Sequence, residues 1–327
     1  MVTIQDIADK TGVSISTVSR ALSGSTKISQ KTRERIQKSA KELGYTPNFS
    51  AQNLNRVESN IVGVVFPPKS ANVNGNDFAL QTLFGINKQL KHRQYLLAMA
   101  TGDSWSEVYD DVKMMVEAGR IRRFILLYTV ENDPISQLLF ENEAKEVMIG
   151  EPQAKGETLY VDNYNMQAGS EATDMLVKHY GLKMPVFIRT DEDWRYEVNR
   201  EMGFRQACPH GLELRLGATY AEQKLQLEKF FEAHQDVDGI VASDDKLGFM
   251  AQSQAEAHLA THPKLPTMGF NNSEYAEIGG KHFHSVDVLP RVLGEEAVRL
   301  LFNDLLEESE RTRSTVVVVP YQLPIIP

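Results

Sequence analysis

The 327 residues contain one cysteine, Cys208, so no internal disulfide can form, which fits a reducing cytoplasm. A lone thiol of this kind reads as an inert, partly buried group rather than a nucleophile. No apolar run approaches the roughly 18 residues that a membrane span requires. The N-terminal stretch, with Asp6 and Asp9, does not read as a signal peptide. Phosphate loop, paired zinc-ligand motif and nucleophile elbow are all missing, and GINKQL carries only a lone glycine. His258 and His262 stand four apart, a spacing that can ligate metal on a helix. With no acid or cysteine beside them in the sequence, they read as a solvated helix face. Glu192 with Asp193 and Asp244 with Asp245 suggest acid–base chemistry only weakly, because adjacent residues rarely face one bond. The expectation is a chain with no metal and no cofactor that is not an enzyme. Solenoid repeats and low-complexity runs are also absent.

An excess of positive charge is missing too: the net charge is −9. It is unevenly spread. Residues 1–60 hold nine Lys and Arg against five acids, a balance of +4, which leaves −13 for the remainder. A basic head on an acidic body orients an approach to phosphate without itself establishing one. Hydrophobic content of 42% and charged content of 24% are those of a globular protein. The length suits a small headpiece and about two domains of ordinary size.

The first stretch, TIQDIADKTGVSISTVSR, carries the most information. Ile4, Ile7 and Ala8 fall three and four apart, the spacing of one buried helix face. Thr3 and Asp6 can form a capping box, and Gly12 supplies the positive φ that ends the helix cheaply. Ser14 can cap a second helix, with Val18, Ala21 and Leu22 turned inward. Two short helices joined by a glycine turn describe a helix-turn-helix, whose second helix enters the DNA major groove. Ile15, Ser16, Thr17, Ser19 and Arg20 are then left outward, a surface suited to base edges and phosphates. A third helix follows in KTRERIQKSAKELGY, with Ile36, Ala40 and Leu43 on one face and Gly44 as its stop.

Over some fifty residues the chain closely resembles the lactose-repressor/galactose-repressor family of bacterial transcription regulators. The likeness rests on Thr3, Ile4, Asp6, Ile7, Ala8, Gly12 to Ser14, Thr17 to Leu22, Thr32, Arg33, Leu43 to Tyr45, Pro47, Asn48, Ala51 and Leu54. It implies a headpiece over 1–47 that contacts DNA through Thr3, Ser14 to Thr17, Ser19, Arg20, Ser29 and Thr32. It also implies a hinge over 48–60, in which Asn48, Ala51 and Leu54 meet DNA. Residues 48–56 are too short to persist as an isolated helix, since helices below about 12 residues are marginal in water. In the family this segment folds when two copies meet on DNA, and the residue at the position of Leu54 wedges into the minor groove.

From Ile61 onward the pattern alternates. IVGVVF, YLLAMAT and RRFILLYT read as buried strands, with helices in LQTLFGINKQLKHR and SEVYDDVKMMVEAG between them. A second set follows: a helix to Tyr180, strand MPVFIRT, helices through EVNREMGFRQA and AEQKLQLEKFFEAH, strand VDGIVAS, a helix from Lys246 and strand PTMGF. Such alternation marks parallel sheets covered on both faces, with ligands at the carboxyl ends of the strands. The fold class expected is α/β. The resemblance implies an all-helical headpiece followed by a two-lobed, periplasmic-binding-protein-like body of doubly wound parallel sheets over 61–327. Lobe 1 would take about 61–162 and 289–320, and lobe 2 about 163–288 and 321–327.

Within the cleft, the resemblance points to Arg200 as the arginine that forks onto effector hydroxyls, a task its planar donors suit. It points also to Asp244 after Ser243, to Asn271 in GFNN, to Tyr220 as a stacking ring, and to Phe78 and Tyr128 at the cleft edge. At the crossover, Asp162 and Asn163 read as structural as readily as ligand-binding. Rings, amides, carboxylates and one Arg favour a sugar site over an apolar one. The stretches NDFALQTLFGI, RRFILLYTVENDPI and EVMIGEP are most similar to maltose-operon repressors of Gram-positive bacteria. The chain departs from the family in the early position of Gly248 and in the ending PYQLPIIP. The expectation is a cytoplasmic homodimeric repressor of a sugar operon that binds palindromic double-stranded operator DNA and a small effector, with no membrane partner. Rival readings are a pleiotropic regulator with a phosphoprotein corepressor, a purine- or nucleoside-responsive repressor, and an enzyme fused to a helical headpiece.

Overall fold

The computed structural model describes residues 2–22, 27–45, 58–68, 77–152, 158–259, 264–302 and 315–326. The chain divides into two compact units, 1–57 and 58–327.

In the first unit, α1 (Ile4–Thr11), α2 (Ile15–Leu22) and α3 (Gln30–Glu42) close on a small core. Ile7, Ala8, Val18, Ala21, Ile36 and Ala40 are buried in it, and Ile4, Val13, Leu22, Ile28, Leu43 and Tyr45 pack around them. The capping box at Thr3 is formed: its hydroxyl accepts from the Asp6 amide while the Asp6 carboxylate accepts from Thr3. These bonds hold the Asp6 carboxyl below its ordinary range, the Thr3 amide contributing most. Gly12 takes φ 64° and Gly44 φ 69°, ending α1 and following α3 as left-handed residues. The hinge positions Asn48, Ala51 and Leu54 lie outside the described residues, as does His262.

The second unit holds two parallel sheets. In chain order its elements begin β1 (Ile61–Val65), α4 (Asp77–His92), β2 (Leu96–Ala100), α5 (Trp105–Glu117), β3 (Arg123–Leu126), α6 (Pro134–Glu141), β4 (Lys145–Ile149) and β5 (Leu159–Asp162). Then come α7 (Asn165–Tyr180), β6 (Pro185–Thr190), α8 (Arg195–Ala207), β7 (Leu212–Leu216), α9 (Tyr220–Ala233), β8 (Gly239–Ala242) and α10 (Asp245–His258). β9 (Thr267–Phe270), α11 (Glu274–Gly279), β10 (Phe283–Val286), α12 (Pro290–Leu301) and β11 (Thr315–Val318) complete it. One sheet runs β2-β1-β3-β4-β5-β11 and the other β7-β6-β8-β9-β10.

The central strands of each sheet are buried on both faces, as their continuous apolar runs require, while the edge strands β2 and β7 each leave residues exposed. In the first lobe, Ile86 and Leu90 of α4 with Leu293 and Val298 of α12 cover one face. Val108, Val112 and Val116 of α5 with Ile135 and Leu139 of α6 cover the other. In the second lobe, α9 and α10 supply one layer through Leu227, Phe231 and Ala251. There α7 and α8 supply the other through Ala172, Leu176 and Phe204. Neither lobe is contiguous: β5 ends the first, α7 opens the second, α12 and β11 return to the first, and Tyr321, Leu323 and Ile326 pack on the second.

Close helix pairs set the geometry. A Cβ on Gly203 of α8 would lie 2.2 Å from the Met166 carbonyl oxygen of α7, and one on Gly169 2.5 Å from the Arg200 carbonyl oxygen. Backbone thus meets backbone between α7 and α8. Gly85 and Gly294 do the same for α4 and α12, with contacts of 2.0 Å and 2.3 Å to Arg291 and Thr82 carbonyl oxygens.

Candidate functional site

In the headpiece, α2 turns Val18 and Ala21 inward and presents Ile15, Ser16, Ser19 and Arg20 to solvent. Ile15 is 48% exposed, an apolar side chain with no packing reason to stand there. The Ser14 hydroxyl caps the helix by accepting from the Thr17 amide at 3.3 Å, and lies 2.8 Å from Thr17 Oγ1 and 3.0 Å from Ser16 Oγ. Ser29 caps α3 through the Thr32 amide at 3.4 Å, with Thr32 Oγ1 at 2.9 Å. Hydroxyls and amides therefore cluster at the exposed starts of α2 and α3, where unpaired helix amides and the dipole favour an anion such as phosphate.

In the body the carboxyl ends of β5, β6, β8 and β9 converge on Arg200. Its side chain is 4% exposed, so each guanidinium contact is made in a low-dielectric setting. Nε donates to Asn165 Oδ1 at 2.9 Å and Nη1 to the Ser243 carbonyl at 2.6 Å. The guanidinium carbon lies 4.2 Å from the Phe270 ring centroid and 5.0 Å from that of Tyr196, distances at which a cation is held by a ring face. Nη2 has no protein partner among the described residues. Burial pulls the Arg200 guanidinium below its ordinary pKa, opposed by Tyr196, Asp162, Asp244 and Glu197.

Carboxyls ring this cation. Burial lifts Glu197 to about 7, against bonds from Thr190 and Ser243 that favour its charge. Its Oε2 accepts from the Thr190 hydroxyl at 2.6 Å and its Oε1 from the Ser243 hydroxyl at 3.0 Å. Asp162 is likewise lifted by burial to about 7, and Asp244 is raised by the same cause. The site is thus a buried cation among carboxyls that burial biases toward the protonated form, Glu197 and Asp162 to about 7, so that the set can both donate and accept hydrogen bonds with a polyhydroxyl ligand.

The expected cleft residues divide. Arg200 stands at the centre. Asp244 is beside it electrostatically, but one oxygen caps α10 by accepting from the Leu247 amide at 2.8 Å. Asn271 takes φ 102° directly after β9, and the next residue, Asn272, is left-handed too. Phe78 is half-buried and packs against the cores of both lobes. Tyr220 opens α9 at 68% exposure, with no hydrogen bond or ring contact among the described residues. Tyr128 departs from expectation. It is 3% exposed within the lobe 1 core, edge-on to Trp105, and its hydroxyl donates to Asp133 at 2.8 Å. Both its ring and its polar end are already used, so it does not offer a face to a ligand.

Asn165, Tyr196, Glu197 and Phe270 are additions that the sequence reading misses. A signal existed for two of them, since Tyr196 and Glu197 precede Arg200 by four and three residues and so share its helix face. Across the cleft mouth, Glu151 of lobe 1 accepts from Asn199 at 2.7 Å and pairs with Arg195 at 3.6 Å, while Trp194 packs on the lobe 1 core. A second correction concerns His258. It is half-buried, and Glu228 and Glu232 of α9 bring carboxylates to within 4.8 Å of its ring nitrogens, acids that lie 26 and 30 residues away in sequence.

Residues 3–48 match the family described as "Bacterial regulatory proteins, lacI family". Over 312 residues, 93% of this chain and 91% of the relative, the sequence is 30% identical to the HTH-type transcriptional regulator MalR of Staphylococcus xylosus. A solved transcriptional regulator CelR–cellobiose complex is similar with TM-score 0.71 at 25% identity, covering 99% of both chains. The lac repressor dimer bound to operator and an anti-inducer matches with TM-score 0.72 over 99% of this chain and 98% of that one; at 17% identity this speaks for the fold alone. With an exposed reading helix, a two-lobed α/β body and these relatives, the chain belongs to the lacI family of bacterial regulatory proteins, transcription regulators that bind DNA through an N-terminal helix-turn-helix.

Proposed function

We propose that this chain represses a sugar-utilisation operon as a homodimer, and that a sugar bound around Arg200 controls its hold on a palindromic operator. The observation that carries the sugar reading is the buried guanidinium ringed by Asp162, Glu197 and Asp244. Such a set suits a neutral ligand rich in hydroxyls: a second cation would repel Arg200, and an anion would meet three carboxyls. The names of relatives point the same way, with MalR and the CelR–cellobiose complex above and sucrose operon repressors at 23% identity. Maltose is the first candidate. Arg200, Asp244 and Asn271 bind the ligand, with Phe78 and Tyr220 at the rim.

On the DNA side, Ile15, Ser16, Thr17, Ser19 and Arg20 read the major groove, and Thr3, Ser14, Ser29 and Thr32 hold phosphates. Asn48, Ala51 and Leu54 form the hinge that bends the site. Two-fold protein symmetry then requires a two-fold operator. The ligand changes lobe closure and so the spacing of the paired hinges, a two-state coupling between distinct sites. The chain works in the cytoplasm and turns over no substrate.

The test selects binding sites from random duplex DNA with the full chain, then titrates maltose, maltodextrins, cellobiose, sucrose and nucleosides against the selected complex. A palindromic site released by one sugar class is expected. No site enrichment, or release by nucleosides alone, overturns the reading.

A further inference from the structure

The three chain crossings between the lobes are joined by one side chain. Asn163 follows β5 at the first crossing and is 6% exposed. Its Nδ2 donates to the Val288 carbonyl of the second crossing at 3.1 Å and to the Val319 carbonyl of the third at 2.9 Å. Backbone bonds run alongside: the Val319 amide donates to the Asp162 carbonyl at 2.9 Å, and Asp287 and Gln322 exchange bonds of 2.9 Å and 2.8 Å. The Leu289 amide donates to Asp287 Oδ1 at 2.8 Å, holding a leucine at φ 52° where the second crossing enters α12. A non-glycine residue in that region is strained, and such residues mark segments whose conformation the surroundings dictate.

Two residues on, Asn165 ties this joint to the cleft. It is 3% exposed, and both ends of its amide are engaged. Oδ1 accepts from Arg200 Nε at 2.9 Å, and Nδ2 donates to Asp162 Oδ1 at 3.0 Å, with the Asn163 carbonyl at 3.4 Å. Because an amide is rigid and planar, a rotation imposed at its oxygen must appear at its nitrogen. Arg200 meanwhile keeps Nη2 without a protein partner among the described residues. A ligand hydroxyl drawing on that edge swings the guanidinium plane about Nε, and Asn165 must follow or lose its bond.

We propose that Asn165 is the positioning residue that passes the state of Arg200 to the crossovers, and that Asn163 is the staple that makes the three crossings move as one. This rests on the reading of the cleft as the effector site, but only for its second arm. A contiguous chain of hydrogen bonds from Arg200 through Asn165 and Asp162 to the crossings is the kind of link that can couple sites. Trp194, Arg195 and Asn199 also bridge the lobes, yet from the mouth of the cleft, and among the described residues none of their hydrogen bonds or ion pairs reaches the crossovers.

The test reads amide hydrogen exchange in the full chain, resolved to peptides over the second and third crossings, where the Asp287, Leu289, Val319 and Gln322 amides are bonded. In the ligand-free protein, Asn165→Ala is expected to speed exchange there at least tenfold, with β3 and β8 unchanged. Asn165→Ser, which leaves a shorter polar group, should give an intermediate change and serves if the alanine variant does not fold. Unchanged crossovers, or equal acceleration in every strand, overturn the proposal. In the second arm, saturating maltose should alter crossover exchange and weaken operator binding in the wild type. In the variant maltose should bind about 10- to 100-fold more weakly, by calorimetry, because the Arg200–Asn165 bond is lost; at concentrations that saturate the variant, both responses should shrink to less than twofold. A full response in the variant overturns the proposal. If maltose moves nothing in the wild type, the effector reading fails and the ligand-free arm decides the inference alone.

Discussion

Gly203→Ala tests how the cleft is built. The added Cβ would stand 2.2 Å from the Met166 carbonyl oxygen and 2.6 Å from the Ser170 amide. Both are backbone atoms of α7, so no side-chain rotation relieves the clash. Real contacts of this kind stop near 3 Å, so α7 and α8 must part by about 0.8 Å at the crossing. That displacement falls where Asn165 and Arg200 face each other across the same pair of helices. Their bond of 2.9 Å would stretch to about 3.7 Å, beyond hydrogen-bond reach. Overpacking a core costs about 1–3 kcal/mol, and at about 2–4 °C per kcal/mol the melting temperature should fall by roughly 2–12 °C. The larger effect is on function. A charged hydrogen bond is worth about 1.5–3 kcal/mol, so ligand affinity should fall about 10- to 100-fold. The substitution lies in the second compact unit and leaves the helix-turn-helix residues unchanged, so operator affinity without ligand should stay within about threefold. Differential scanning calorimetry and ligand titration of the operator complex read the three quantities. A variant melting within 1 °C of the wild type and keeping its ligand response would refute the claim that this crossing sets the site.

Three other outcomes are expected. Burial raises the Glu197 carboxyl to about 7, so the folded state holds its proton more tightly than the unfolded one between about pH 4.5 and 7. Its contribution therefore falls as pH rises through that window, and the melting temperature of Glu197→Gln relative to the wild type should climb from pH 5 to pH 8; an offset equal at both values contradicts this. Exchanging Ile15 and Ser16 should alter the preferred operator bases, since one good base contact is worth about 1–3 kcal/mol of discrimination. Recovery of the same operator by both proteins would remove α2 from the groove. Leu54→Ala should lose operator bending and specific affinity while keeping the salt-dependent phosphate binding; a gel bending assay at fixed salt that returned the wild-type angle would reduce the hinge to a tether.

The headpiece was legible because its instructions are local. Thr3 with Asp6, Gly12, and Ser14 with Thr17 each act over three or four residues, within the reach of periodicity and capping rules. The central strands of the body were legible for a related reason: IVGVVF and VDGIVAS are buried on both faces and read as apolar runs. Edge and outer elements were not. β7 alternates in LELRL because one side meets solvent, β4 opens on Lys145 and Glu146, and β11 was not singled out. In the site, Arg200 came from a resemblance rather than from spacing. Asn165 lies 35 residues before it, and only the glycine crossing of two helices brings the pair together. The same distance hid the carboxylates beside His258, and burial of Tyr128 depends on a sheet face that no local pattern marks.

The discontinuous lobes have a consequence for how the body reaches its native state. β5 closes its outer edge with β11, a strand some 150 residues later, and α12 crosses back to cover the same sheet. Contacts so remote are slow to form, because each requires a long loop to close before burial rewards it. During vectorial synthesis the first lobe therefore waits, with a sheet edge unpaired, until the second lobe has been made. The headpiece completes its core within its first 45 residues and can fold long before β11 has been translated. A polypeptide stopped before β11 would carry a folded DNA-reading head on a body with an open edge strand, the kind of species that aggregates or recruits chaperones. Two bodies of very different folding speed on one chain also predict two refolding phases, a fast one reporting helices and a slow one reporting closure of β11 onto β5.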